Sequence, residues 1–183
     1  MAALVVAGVV SGCAAAPPAP APSAAAKSSS GLSPAESEAY HWVGEFCSGP
    51  SAALLALKNN FYNDIPYDEL ADPTAADRQA AQQKAEQNLD TLVSVVRSNA
   101  AAVASAAASP ARDRLTGVYT QLRTDLLGIQ QRVTALSPAA AATFGPQLAA
   151  DSGQVHTAFE AARQVLAKEP GTARFMRDHS VCS

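Results

Sequence analysis

The 183-residue sequence predicts an all-α fold: an up-down antiparallel bundle of about four helices, preceded by a disordered N-terminal tether. Alanine, the best helix former, supplies 42 of the residues. Apolar side chains recur at alternating spacings of four and three residues along three long segments, as in helices with one buried face. Prolines separate these segments and leave only short links, which favour antiparallel neighbours.

The first helix is expected to begin at Ser33-Pro34-Ala35-Glu36, which combines a serine cap, a proline in the first turn and a glutamate three residues after the cap. It should end near Phe46, because Ser48-Gly49-Pro50 interrupts the helical pattern. A short continuation from Ser51 to Leu57 is expected, and residues 61–73 should form a loop.

Two long helices are expected next in the chain. The second helix runs from Asp72-Pro73 to about Ala107, and Ser109-Pro110 separates it from the third, over residues 111–136. The apolar positions in the later half of the second helix are Leu89, Val93, Val96, Ala100, Val103 and Ala107. Those of the third are Leu115, Tyr119, Leu122, Leu126, Ile129, Val133 and Leu136. This third-helix series predicts one continuous buried face.

The last long helix is expected over residues 146–168, because Ser137-Pro138 breaks the pattern before it and Gly145-Pro146 makes a further break or kink. Its apolar positions are Leu148, Val155, Phe159, Ala162 and Leu166. Glu169-Pro170-Gly171 should end this helix and leave only a short turn before Cys182.

An apolar run of nine residues, AALVVAGVV at 2–10, leads into Val10-Ser11-Gly12-Cys13. The run is too short for a transmembrane helix, which needs about 20 residues, but it has the length of the apolar core of a secretory signal. Val10-Ser11-Gly12-Cys13 resembles the lipobox of bacterial lipoproteins. The resemblance covers residues 1–13 only. It implies that residues 1–12 are a signal peptide and that Cys13 carries a lipid anchor, on the extracytoplasmic face of a cell-envelope membrane.

Residues 13–32 follow as an Ala/Pro/Ser-rich tether. Between 14 and 31 the chain contains only Ala, Pro, Ser, Gly and one Lys, so it offers little apolar surface to offset the entropy of ordering. Proline-rich chain extends by about 3 Å per residue, so the tether would hold the helical domain, residues 33–183, some tens of Å from the membrane. The alanine bias and the tether are similar to those of actinobacterial lipoproteins.

The three cysteines fit this location. If Cys13 carries lipid, Cys47 and Cys182 remain, and an oxidising compartment favours a disulfide between them. On the chain-entropy model, closing a loop of more than 100 residues contributes about 4 to 5 kcal/mol. Two separate buried thiols are the alternative.

The residues and motifs that several classes of function require are absent from this sequence. A net charge of −3 with both signs interspersed gives no basic stripe, so no nucleic-acid partner is expected. Glu38 and His41 have the Glu-x-x-His spacing of di-iron bundles, but His156 and His179 have no Glu three residues earlier to complete a second pair. The G-x-S-x-G, HExxH and phosphate-loop motifs are absent. The sequence therefore predicts a protein that is not an enzyme, with no metal and no cofactor.

Aromatic residues cluster near the start of the helical domain. Six of the ten lie between positions 40 and 67, namely Tyr40, Trp42, Phe46, Phe61, Tyr62 and Tyr67. They either cover one end of the bundle or contact a partner or ligand, in which case Trp42, Tyr62 and Tyr67 are the candidates.

Two functions follow for the domain. The first is a non-enzymatic interaction module with an envelope protein as partner, and the second is a carrier that binds an apolar or aromatic small molecule between helices. An exposed apolar patch above several hundred Å² would favour the first. An enclosed apolar cavity of about 300 Å³ or more, with a few inward polar groups, would favour the second. If the domain has neither, only a spacer or structural role remains.

Overall fold

The structure is a computed structural model that describes residues 31–61, 67, 70–179 and 182, with the backbone alone between 49 and 60. The elements of this part of the chain are α-helices, so the described part of the protein is all-α. Their bounds are α1 Pro34–Asn60, α2 Ala75–Ser105, α3 Pro110–Thr134, α4 Ala141–Lys168 and α5 Pro170–Asp178. The predicted signal peptide, Cys13, all of the tether before Gly31, and Tyr62 lie outside the described residues.

The five helices belong to one compact unit of the chain, Leu32–Ser183. Gly31, just before this unit, has a φ of 126°, a conformation that residues with a Cβ rarely adopt. Among the helices described, none is both long and apolar enough to cross a membrane.

Side-chain caps define the starts of the first three helices. The Ser33 hydroxyl accepts the Glu36 N–H, while the Glu36 carboxylate accepts the Ser33 N–H at 2.8 Å, which completes the expected capping box. At α2 the cap is Thr74, paired in the same way with Asp77. This helix therefore begins two residues later than the predicted Asp72-Pro73. At α3 the Ser109 hydroxyl accepts the Arg112 N–H at 3.1 Å.

Two predicted helix boundaries at proline are wrong. Helix α1 continues through Ser48-Gly49-Pro50 to Asn60, and α4 begins at Ala141, so Pro146 lies inside it. A proline within a helix removes one backbone hydrogen bond, and burial of neighbouring side chains can offset that loss. Phe46, four residues before Pro50, and Phe144, two residues before Pro146, are both fully buried.

The C-terminal end also differs from the expectation. In place of a short turn, residues 170–178 form the nine-residue helix α5. Its inner face is buried through Phe175 and Met176, and the Thr172 hydroxyl donates to the Leu166 carbonyl at 2.5 Å. Helix α5 is thus fastened to the end of α4 by burial and by a buried hydrogen bond.

The core runs along the predicted apolar faces. Of the seven α3 positions, all but Leu136 are buried, and Leu136 is partly buried against the core. In α2 the buried members include Leu89, Val96 and Val103, whereas Ala107 lies beyond the end of the helix and is exposed. All five predicted positions of the last long helix are buried in α4.

Polar contacts join the helices at the edge of this core. The buried Gln82 amide of α2 donates to the Val133 carbonyl at 2.8 Å, near the end of α3. Arg132 of α3 donates to the buried Asp151 carboxylate of α4 at 2.8 Å. These partners satisfy polar groups that would otherwise be costly to bury.

Candidate functional site

The C-terminal strap, which we define as His179 and Cys182, is fastened to α1. A disulfide joins Cys47 of α1 to Cys182, with the two Cα atoms 5.1 Å apart. Both cysteines are buried, and the Cys47 sulfur lies 3.8 Å from the Met176 sulfur of α5. The bridge therefore lies in the interior, where α1, α5 and the strap meet.

His179 fills a notch on α1. Its ring stacks on Tyr40 with centroids 4.0 Å apart, and Nε2 donates to the Tyr40 carbonyl at 2.8 Å. The notch exists because residue 44 is glycine: a Cβ added there would lie 2.7 Å from His179 Cε1, closer than real contacts allow. A carbonyl can only accept, so Nε2 carries a proton, and His179 serves to hold the strap.

The aromatic candidates occupy different environments. Trp42 is partly buried beside His41, with ring centroids 5.0 Å apart, and its indole N–H is buried without an acceptor among the described residues. Tyr67 is buried and packs on Phe144 of α4 with centroids 5.9 Å apart. Tyr67 thus offers little surface to a partner, whereas part of Trp42 remains exposed.

Tyr119, predicted only as an apolar-face residue, is a polar group enclosed in the core. Its ring packs edge-on against Phe46, and no described residue completes a hydrogen bond to its buried hydroxyl. Burial raises the pKa of this phenol far above its usual value. The Asn99 side chain lies near enough to lower the pKa in part, and the Glu45 carboxylate raises it further. The hydroxyl therefore stays neutral.

The α3–α4 groove is an open, mostly apolar depression of about 310 Å³ between those two helices. Its lining residues are Arg114, Gly117, Val118, Gln121, Leu122, Asp125, Ala158, Ala161, Ala162 and Val165. Small side chains form much of the α4 wall, and Val165 leaves 40% of its surface exposed. Exposed apolar surface in a groove is typical of sites that contact another apolar surface.

The polar members of this lining have partners within the chain. Arg114 pairs with Glu169 at 2.6 Å, and the Gln121 amide donates to Asp125 at 2.9 Å. Exposed pairs of this kind are weak, so both charges stay available to a second partner. The chemistry that the α3–α4 groove offers is burial of apolar surface, with one cation and one anion along α3.

Gly117 has no evident use inside the chain. A Cβ added there would have no neighbour within 4 Å, although glycine in a helix interior costs about 1 kcal/mol relative to alanine. The sequence does not reveal the α3–α4 groove, because Gly117 and Gln121 lie outside the apolar series of α3. Gly117, one of two glycines inside α3, is a sequence feature that could have pointed to it.

A second groove, of about 280 Å³, lies where the first turns of α1, α3 and α5 meet. Glu36 and Arg174 line it and pair with each other at 2.7 Å. Hydrogen bonds from the Ser33 backbone and side chain, with a smaller effect of Arg174, hold the pKa of Glu36 below its usual value. The charges of this groove thus serve the helix cap and the contact between α1 and α5.

No protein-family model, no curated protein and no solved structure matches this chain. Within the described residues, no three His, Cys, Asp or Glu side chains come together in a way that could hold a metal ion. The α3–α4 groove is therefore the feature whose geometry says most about function.

Proposed function

We propose that this chain is a non-enzymatic interaction module of the bacterial cell envelope, an up-down helical bundle tethered to the membrane through lipid on Cys13. The α3–α4 groove carries the proposal of an interaction role, because it exposes apolar surface between two helices. The lipobox resemblance of Val10-Ser11-Gly12-Cys13 supports the anchor and the location.

Hydrogen bonds between α2 and α3 support the antiparallel arrangement. Gln82, early in α2, donates to the last residues of α3 at Val133 and Thr134. Gln130 donates to Asp90 farther along α2, and Arg112, at the start of α3, donates to Ala106 at the end of α2. As residue numbers rise along α2 they fall along α3, which is the relation between antiparallel neighbours.

The alternative is a carrier for an apolar or aromatic small molecule. The volume of the α3–α4 groove, about 310 Å³, is at the lower end of the range for ligand pockets. Such pockets usually enclose most of the ligand, whereas this groove is only half enclosed, so it fits the surface of a partner protein better.

Site-specific photocrosslinking tests the two functions. The full chain would carry p-benzoylphenylalanine at position 165, in the α3–α4 groove, and would be irradiated in intact cells. The matched control carries the same residue at Thr91, an exposed position of α2. A protein adduct at 165 that is absent at 91 supports the interaction module, and an adduct with only a small apolar molecule supports the carrier. Adducts no stronger at 165 than at 91 would overturn both.

A further inference from the structure

We propose that the partner of the α3–α4 groove is a second copy of this chain, whose own α3 lies antiparallel along the first. The inference rests on the proposed function, because it names the partner of the same groove. It is carried by the charge pattern of α3, by Gly117 and by the length of the groove.

The charges of α3 are complementary to those of an antiparallel copy. The groove-lining positions of α3 run from Arg114 to Asp125. If two copies of α3 cross at their midpoint between Tyr119 and Thr120, Arg114 of each copy lies opposite Asp125 of the other. A twofold axis repeats every contact, so one such pairing gives two ion pairs, one at each end of the interface.

The residues between these charges are suited to close contact. In the same register Gly117 lies opposite Leu122, and Val118 opposite Gln121. The site of the missing Gly117 side chain is open space, so the exposed Gln121 of a second copy, next to its buried Leu122, can approach it without a clash. The small side chains on the α4 wall, Ala158 and Ala161 among them, let another helix approach closely for the same steric reason.

The dimensions favour a helix over a compact ligand. The α3 wall spans residues 114 to 125, about three turns, or about 16 Å at 1.5 Å per residue. The lipid anchor proposed at Cys13 would confine copies to one membrane surface and raise their effective concentration. A contact too weak to form dimers in dilute solution could then form on the membrane.

A crosslinking experiment with two tagged copies tests this inference. Full-length chains with two different peptide tags would be co-expressed in their membranes, with p-benzoylphenylalanine at position 121. The expected product has twice the chain mass and carries both tags. Gly117→Leu should abolish this product, while Gly153→Leu, at a glycine of α4 that is equally open but does not line the α3–α4 groove, should leave it unchanged.

Charge exchange distinguishes contact between chains from contact within one. Arg114→Asp alone and Asp125→Arg alone should each lower the yield of the two-tag product about fivefold, because each places two repulsive pairs in the dimer. The double variant should restore the yield, although it leaves the internal Arg114–Glu169 pair broken. A melting curve of each variant shows whether the fold is retained.

Three results would overturn the second-copy inference: no two-tag product from the wild type, a product that survives Gly117→Leu, or no rescue by the double charge exchange. None of these results bears on the proposed interaction module by itself. A protein adduct at position 165 with a different envelope protein would retain that function while excluding self-association. The absence of any adduct at 165 would remove both.

Discussion

At the scale of single residues, the most constrained position is Gly44, because the His179 ring occupies the space that a side chain would need. Gly44 and His179 are 135 positions apart in the sequence. The nearby disulfide, the stacking on the Tyr40 ring and the hydrogen bond to the Tyr40 carbonyl all hold the His179 ring in place. The ring therefore has little room to move.

We expect Gly44→Ala to destabilise the fold, because its Cβ would lie 2.7 Å from His179 Cε1. Overpacking of this kind costs about 1 to 3 kcal/mol in the free energy of unfolding, measured by chemical denaturation. Gly117→Ala is the control: it meets no atom within 4 Å and should stabilise by up to about 1 kcal/mol. Equal effects of the two substitutions on stability would contradict the claim that the His179 ring fills the space beside Gly44.

Tyr119 makes the stability of the folded protein depend on pH in the alkaline range. Its pKa is raised in the folded protein, so the unfolded chain loses the phenol proton first as the pH rises. The contribution of this residue to stability is therefore complete below about pH 10 and declines above it, by up to about 1.4 kcal/mol per pH unit.

Tyr119→Phe should remove that decline without a large loss of stability at neutral pH, since the hydroxyl has no completed hydrogen bond. Urea denaturation of the wild type and the variant at pH 7 and pH 11 measures the difference. All other residues are the same in the two proteins, so their contributions cancel in the comparison. If the wild type and Tyr119→Phe lose the same stability between pH 7 and pH 11, the burial of the Tyr119 phenol does not cause the decline.

At the scale of elements, the third helix was the most predictable part of the chain. Its seven apolar positions repeat at helical spacing, and six of them are buried, because a periodic pattern determines which face a helix buries. Pro50 and Pro146 were misjudged for a related reason. The backbone hydrogen bond that a proline removes can be recognised from the local sequence. The burial of Phe46 and Phe144, which stabilises the helix, depends on tertiary packing that the local sequence does not reveal.

The α3–α4 groove could not be predicted in the same way. Its shape depends on how far α4 stands from α3, and only packing determines that distance. From the sequence, Ala158 and Ala161 could equally have faced solvent or a neighbouring helix. Likewise, nothing near Gly44 in the sequence indicates that His179 packs against it.

The Ser109 cap gives a prediction for α3. Ser109→Ala removes the oxygen that accepts the Arg112 N–H at 3.1 Å, and loss of such a cap typically costs about 1 kcal/mol in the free energy of unfolding. Ser94→Ala, at an exposed position inside α2, should leave stability unchanged or slightly raised. Thermal or urea denaturation measures both, and a Ser109→Ala protein as stable as the wild type would show that this cap contributes nothing.

At the scale of the whole molecule, the disulfide joins the middle of the first helix to the C-terminal end of the described helical domain. Its sequence separation of 135 residues makes the closed loop long, and the C-terminal strap would otherwise be held only by noncovalent contacts such as that from Arg163 to the Cys182 carbonyl. The bridge therefore limits the freedom of the unfolded chain over most of the domain.

Cys47→Ser should lower the free energy of unfolding by about 2 to 5 kcal/mol under oxidising conditions. Cys182→Ser should cause a similar loss, and the double variant should lose little more, because the three proteins lack the same bond. After reduction with dithiothreitol, the wild type and the variants should unfold at similar denaturant concentrations. Additive losses in the double variant would indicate that the cysteines act separately.

The central claim is that this helical domain is displayed from a membrane by lipid on Cys13. Its most direct test is the intact mass of the native protein, purified from its own membranes and alkylated before and after reduction. The account predicts a chain that begins at Cys13, carries acyl groups and gains two alkylated thiols only on reduction. An unprocessed chain of 18.7 kDa with three free thiols would contradict the anchor, the envelope location and the disulfide together.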